Sequence, residues 1–254
     1  MSRLLGYSSV EEQIETLFRQ FKLPTAADEM VRRVIEAGHE GVLEAIAEVL
    51  EAERHERWER RVARLRKASK LPPGKTFDVF DLSRLPVPLS RKLRDLAEGE
   101  FIERGANVLA FGLPGTGKSH AACALGHSLV EAGHSVLFVP TFKLVQDLLV
   151  AKRDLELPRA LRKLDKFDLL ILDDIGYVQQ SEVEIEVLFT LMAERYERRS
   201  MLITSNLVFS QWDKIFRNPM TTAAAIDRLV HHSTILEFAV KSYRAESQKQ
   251  DSDK

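Results

Sequence analysis

Gly112-Leu113-Pro114-Gly115-Thr116-Gly117-Lys118-Ser119 is the stretch whose reading decides the fold. Gly112, Gly115 and Gly117 let the backbone bend in ways that a Cβ would obstruct, so successive N–H groups can turn inward and line one concave surface. Such a surface holds phosphate. Lys118 adds a mobile ammonium for the β- and γ-phosphates of a nucleotide, and the Ser119 hydroxyl is placed to ligate Mg²⁺. Before the loop, 107–111 reads as a buried parallel strand. After it, Ala121, Ala122, Ala124, Leu125 and Leu129 recur at helical spacing. A strand, a glycine loop and a helix whose N-terminus points at phosphate is the arrangement this chemistry needs. Gly112, Pro114, Gly115, Thr116, Gly117, Lys118 and Ser119 are therefore the candidate nucleotide-binding residues, with ATP and Mg²⁺ as the expected ligands.

Outward from the loop, strands and helices alternate. The pattern predicts strands over 135–139, 169–172, 201–204 and 234–238, and helices over 142–151, 158–164, 182–198 and 223–231. Alternation of this kind builds an α/β domain, a parallel sheet with helices on both faces. Leu169-Leu170-Ile171-Leu172-Asp173-Asp174 ends a buried strand in two carboxylates beside the phosphates. Asp173 is the candidate for the Mg²⁺ shell, and Asp174 for orienting and deprotonating the attacking water. Thr204-Ser205-Asn206 ends the next strand, where the Asn206 amide can bond that water or the γ-phosphate, although Asn is also a common turn residue. Asp227-Arg228 fits two readings: an ion pair on a solvated helix face, or an arginine reaching the γ-phosphate held by a neighbouring subunit.

Upstream the pattern changes. Apolar periodicity predicts helices over 10–21, 26–37 and 42–69, broken at Leu23-Pro24 and between Gly38 and Gly41. Leu71-Pro72-Pro73-Gly74 marks the boundary. The expected organisation is a small all-helical N-terminal domain over 1–70, a connector over 71–100, a nucleotide-binding domain over 101–245 and a polar tail over 246–254. The 254 residues carry 37 Lys/Arg and 38 Asp/Glu, so total charge does not point to nucleic acid. Its distribution does. Between Arg54 and Lys75 nine Lys/Arg face only Glu56 and Glu59. On a helix Arg57, Arg60 or Arg61, Arg64 and Lys67 form one basic stripe, preceded by Arg54, with Trp58, Val62 and Leu65 on the opposite, buried side. The stripe fits phosphate contacts on duplex DNA as well as an ordinary solvated face. Lys152, Arg153, Arg159, Arg162 and Lys163 form a second basic group. A single cysteine, Cys123, leaves no disulfide framework and no cysteine zinc site, and the seven histidines show no ligand spacing. No membrane span or leader pattern is apparent, so a cytoplasmic protein without a membrane partner is expected.

These motifs in this order resemble the AAA+ ATPases. More narrowly they resemble the IstB family, ATPase helpers of insertion-sequence transposition related to the DnaC helicase loaders. The resemblance covers nearly the whole chain. It is carried as well by Lys70-Leu71-Pro72-Pro73-Gly74-Lys75-Thr76, Phe101-Ile102-Glu103-Arg104-Gly105 and Ala193-Glu194-Arg195-Tyr196-Glu197-Arg198-Arg199-Ser200. Thr204-Ser205-Asn206-Leu207, Asp227-Arg228-Leu229 and Ser242-Tyr243-Arg244 continue it. It implies that Lys118 and Ser119 are the Walker A pair, Asp173 and Asp174 the Walker B pair, and Asn206 the sensor-1 residue. It implies further that Arg228 is the arginine finger and Arg244 a sensor-2-like arginine. Asp174 stands where AAA+ enzymes at large more often carry the longer Glu, which implies slow hydrolysis and an ATP-gated switch. Val240 stands near where the family usually has a glycine, which bears on how Arg244 is placed.

The function implied is an ATP-dependent, DNA-binding regulator of transposition. It would oligomerise on duplex target DNA with ATP at subunit interfaces, recruit and stimulate a partner transposase, and reset by hydrolysis. The alternative is a DnaC-type replicative helicase loader, whose helical domain would grip a helicase. A small-molecule kinase would need an arginine-rich lid and an acceptor site, and a non-hydrolysing interaction module would release no phosphate.

Overall fold

A computed structural model describes residues 7–177, 181–207, 211–212, 219–230 and 233–243. The chain divides into two compact units, Met1–Ala63 and Arg64–Lys254.

The first unit is helical. Helix α1 (Val10–Gln20) begins where the Ser9 hydroxyl accepts the Glu12 N–H at 3.3 Å, and Glu11 and Glu12 complement the helix dipole. Lys22, at φ 62°, turns the chain toward α2 (Pro24–Glu36), whose first position is a proline that needs no amide partner. Helix α3 (Leu43–Ser69) runs 27 residues without a break. Ile14, Leu17 and Phe18 of α1, Ala27 and Val31 of α2, and Leu43, Ala47 and Leu50 of α3 form the core. That core ends at Leu50. Helices of 11 and 13 residues span about 16–20 Å, whereas 27 residues reach about 40 Å, so α3 outruns its two partners. Trp58, expected on the buried side, is 39% exposed, while Val62 is buried and Leu65 half-buried.

The second unit is a five-stranded sheet of β1 (Asn107–Gly112), β2 (Val136–Pro140), β3 (Leu169–Asp173), β4 (Ser200–Ser205) and β5 (Ser233–Phe238). All pairings are parallel and the order is β2-β3-β4-β1-β5. The sheet is therefore the one the alternation predicted. Its helices are α4 (Val87–Ala97), the short α5 (Glu100–Glu103), α6 (Lys118–Glu131), α7 (Thr141–Arg153), α8 (Leu157–Leu164), α9 (Glu182–Arg195) and α10 (Pro219–Val230). Successive strand residues point to opposite faces. Leu109, Leu170, Leu172 and Ile203 join the core with α7, α9 and α10. Ala110 and Leu202 pack instead with Ala121, Ala122 and Leu125 of α6 and Leu93 of α4. Helix α6 lies so close that a Cβ on Gly126 would stand 2.8 Å from Ile171 and 2.9 Å from Leu71.

Helix α9 stops at Arg195, three residues short of the sequence expectation, because Tyr196 is extended and Glu197 adopts φ 55°. Arg195 itself is 1% exposed. Its guanidinium donates to the carbonyls of Leu164 (3.0 Å), Phe167 (2.9 Å), Asp168 (3.3 Å) and Ser200 (3.0 Å). One side chain thus ties the end of α8 to the starts of β3 and β4. Burial lowers its pKa to about 10, far enough above neutrality to keep it charged.

Candidate nucleotide site

The site forms where β1, β3 and β4 end side by side. After β1 the chain turns through Gly112 (φ 156°), Gly115 (φ 81°) and Gly117 (φ 97°), conformations that suit residues without a Cβ. Close approach adds to this. A Cβ on Gly112 would lie 2.7 Å from the Phe238 carbonyl oxygen, and one on Gly117 would lie 3.1 Å from the Phe80 ring. Thr116 is buried, and its hydroxyl donates to the Leu113 carbonyl at 2.8 Å, closing the turn. Lys118, also buried, opens α6 and folds back over the loop, where Nζ donates to the carbonyls of Gly112 (2.6 Å) and Leu113 (2.8 Å). Ser119 follows in the first turn of α6, and Pro114 is exposed at the loop tip.

Opposite the loop, β3 delivers Asp173 and Asp174. The Thr204 hydroxyl donates to Asp173 Oδ1 at 2.8 Å and accepts the Asp174 N–H at 2.8 Å. Thr141, fully buried at the start of α7, donates its hydroxyl to the Asp173 carbonyl at 3.0 Å. Asp174 sits at φ 60°. Its Oδ1 and the Oδ1 of Asn206 are both buried and without a hydrogen-bond partner among the described residues. Burial, then the Asp173 carboxylate, raise the pKa of Asp174 above its ordinary value, while Lys118 and the Gly176 N–H pull the other way. Asn206 lies against Gly176, where a Cβ would come 2.1 Å from its Oδ1.

These features fit a nucleotide with Mg²⁺. Buried, unpartnered oxygens of this kind are costly unless a ligand or water satisfies them. No cluster of three or more His, Cys, Asp or Glu that would hold a metal occurs among the described residues. Mg²⁺ needs none, since one or two carboxylates, a hydroxyl and substrate phosphates commonly suffice.

A second wall was not legible as a site in the sequence. A cavity of about 490 Å³ opens beside the loop, lined among others by Lys75, Phe80, Arg84, His120 and Tyr243. The Phe80 and His120 rings stand 4.9 Å apart, and the Arg84 guanidinium lies 3.9 Å over the Tyr243 ring. The Tyr243 N–H donates to the Gly115 carbonyl at 2.9 Å, bringing the segment after β5 onto the loop. Burial lowers the pKa of His120, favouring a neutral ring. Residues 76–89 read only as a connector, yet Phe77 and Phe80 are its sole aromatic residues, and they were the available signal.

The remaining candidates are placed as follows. Arg228 lies on α10, and its side chain falls outside the described residues; Arg244 falls outside them altogether. Along α3, Arg54 pairs with Glu51 (2.6 Å), Arg57 with Glu53 (2.5 Å) and Arg60 with Glu56 (2.6 Å). Arg57 also lies 4.2 Å over the Phe21 ring, and Arg61 lies 5.7 Å from the Trp58 ring. Arg64 and Lys67 are exposed. Glu51 and Glu53 lie just upstream of the window whose charges were counted, so the stripe is less bare than the count implies. In the second basic group, Lys152 pairs with Glu186, Arg153 with Asp154 and Arg159 with Glu156.

A parallel sheet in this order, a glycine loop from β1 into α6 and paired carboxylates ending β3 define an AAA+ P-loop nucleotide-binding protein. The DnaC helicase loader has the same fold, with a TM-score of 0.57 at 19% identity over 66% of this chain and 98% of that one. The chain belongs to the IstB-like ATP-binding protein family, whose pattern matches residues 16–251. An insertion-sequence ATP-binding protein of Sinorhizobium fredii is 46% identical over 93% of this chain and 80% of its own length. Another, from Geobacillus stearothermophilus, is 33% identical over 92% of this chain and 94% of its own.

Proposed function

We propose that this protein is an ATP-dependent regulator of transposition that assembles on duplex DNA and recruits a partner transposase. The observation that carries the nucleotide half is the glycine loop held against Asp173, Asp174 and Asn206, with Lys118 between them. Gly112, Gly115, Thr116 and Gly117 present backbone N–H groups to the phosphates of ATP, and Lys118 exchanges its two carbonyl partners for phosphate oxygens. Ser119 and Asp173 would hold Mg²⁺, which when bound neutralises charge on the β- and γ-phosphates. Asp174 orients the attacking water and takes its proton, a role its raised pKa suits, and Asn206 holds the water from the other side. Arg228 of a neighbouring subunit completes the site in trans, and Arg244 contacts the nucleotide in cis.

The DNA half rests on the arginines of α3, with Arg54, Arg57 and Arg60 exchanging glutamates for phosphates and Arg61, Arg64 and Lys67 continuing along the same helix. Exposed ion pairs hold by only about 0–1 kcal/mol, so exchange costs little. The insertion-sequence names of the relatives favour transposition, while the DnaC likeness speaks for the fold alone. A cytoplasmic location is part of the proposal; among the described residues no helix is long and apolar enough to cross a membrane. Lys118→Ala should abolish both phosphate release and ATP-dependent assembly on DNA, read by phosphate assay and by sedimentation. Unchanged assembly in the variant refutes the proposal.

A further inference from the structure

We infer that Thr204 is a positioning residue of the ATPase centre, acting through its hydroxyl on both carboxylate residues at once; the inference rests on the reading of Asp173 and Asp174 given above. Strands β3 and β4 run in register with Leu172 beside Ile203, so Asp173 falls next to Thr204 where the strands open toward the loop. Backbone pairing with β4 ends there. The Asp174 N–H cannot continue the ladder, because Asp174 turns into the left-handed region at φ 60°, which a residue with a Cβ seldom adopts. Its N–H goes to Thr204 Oγ1 at 2.8 Å instead. The same hydroxyl then has one proton to give, and it gives it to Asp173 Oδ1 at 2.8 Å.

Two consequences follow from this single atom. The bond to Asp173 fixes one carboxylate oxygen and leaves the other to reach the metal shell. The bond from Asp174 holds the strained backbone that aims the second carboxylate at the water. Thr204 is 1% exposed, so neither bond is replaced by bulk water when the hydroxyl is removed. A buried threonine with a satisfied hydroxyl is ordinary. A hydroxyl whose two bonds go to the two adjacent acids of a nucleotide site is not, and it ties the direction of the metal-side acid to that of the water-side acid.

The test compares Thr204→Val with Thr204→Ser in the full chain, with and without duplex DNA. Valine keeps the shape and β-branching of threonine but removes both bonds; serine restores the hydroxyl. Misplacement of reacting groups by about 1 Å costs on the order of 100-fold in rate. The expected result is a 10- to 100-fold lower kcat for Thr204→Val, a higher half-saturating Mg²⁺ concentration, and a dissociation constant for metal-free ATP within about twofold of wild type. Thr204→Ser should recover kcat to within about threefold. Nucleotide affinity reports folding independently of turnover. Equal kcat in Thr204→Val and wild type overturns the inference, and so does a Thr204→Ser protein as slow as Thr204→Val, which would mean that the methyl group matters rather than the hydroxyl. If the wild type itself releases no phosphate that Lys118→Ala abolishes, the reading of the acid pair fails first, and this inference with it.

Discussion

Gly176→Ala separates the position of Asn206 from its chemistry. Gly176 has no positive φ, so alanine suits its backbone, and the only demand is space. The added Cβ would sit 2.1 Å from Asn206 Oδ1, whereas an ordinary carbon–oxygen contact is about 3.3 Å, so the amide must retreat by about 1.2 Å. Rotation of a terminal side-chain amide is cheap, and a change that this rotation absorbs should move stability by less than about 1 kcal/mol. On the proposed reading, in which Asn206 holds the attacking water, a shift of about 1 Å is far more costly to rate, on the order of 10- to 100-fold in kcat. The assay is steady-state phosphate release at saturating ATP, with nucleotide affinity measured by calorimetry and with Asn206→Ala run beside it. Gly176→Ala should lose much of what Asn206→Ala loses, keep nucleotide affinity within about twofold, and unfold near the wild-type temperature. If Gly176→Ala hydrolyses ATP at the wild-type rate while Asn206→Ala is slow, the placement of the amide against Gly176 is not the working one. If both are as fast as wild type, Asn206 has no role in hydrolysis.

Three further outcomes are expected. Charge reversal at Arg57, Arg60 and Arg61 should weaken duplex DNA binding and lower the salt slope by about 2 to 3, since each lost phosphate contact removes about 0.9, while ATP affinity stays unchanged; an unaltered slope in a filter-binding series excludes these arginines from the interface. Arg195→Met removes the guanidinium donor shared by four carbonyls, of which those of Leu164 and Asp168 keep the Phe167 and Ser200 N–H, and should cost about 2–4 kcal/mol in denaturant unfolding, with a loss below about 1 kcal/mol refuting the clamp. Burial alone would raise the pKa of Asp168, but hydrogen bonds from the Ser135 side chain and backbone, aided by Arg199, outweigh it and hold the pKa below its ordinary value. A depressed pKa means that ionised Asp168 stabilises the fold above its unfolded-state value of about 3.9 and that this is lost as pH falls through the lower folded value. The stability difference between wild type and Asp168→Asn should therefore be constant from pH 5 to 7 and shrink below about pH 4; a difference that persists into acid refutes the assignment.

The parallel sheet and its alternating helices were legible, though not the order of the strands, because periodicity and the glycine loop are local signals: four consecutive apolar residues before Asp173 admit little but a buried strand. The partners of those residues were not. Thr204, Thr141 and Gly176 matter through contacts with residues 30 or more positions away in the chain, and nothing in their own neighbourhood distinguishes them from ordinary strand, helix-start and turn residues. Phe80 and Tyr243 meet at the loop only because β5 returns beside β1. Trp58 was misplaced because helical spacing reports which residues share a face but not which of them another side chain covers. Arg195 stood in the sequence only as part of the motif at 193–200, and only the fold shows that its partners are carbonyls at the end of α8, before β3 and at the start of β4.

The pairing along α3 bears on why assembly should be needed at all. An arginine that already holds a glutamate gains from a phosphate only the difference between two exposed ion pairs, which is small. With nearly balanced total charge, the net charge of the chain adds no attraction to it. One subunit would then grip DNA weakly and release it readily. Joining subunits makes each later contact intramolecular, and avidity of this kind raises overall affinity by about 10²- to 10⁴-fold without any new contact. If ATP bridges subunits through the glycine loop, nucleotide state sets whether those small differences add. The self-paired stripe is thus not evidence against DNA binding; on the proposed reading it is what makes DNA binding conditional on ATP.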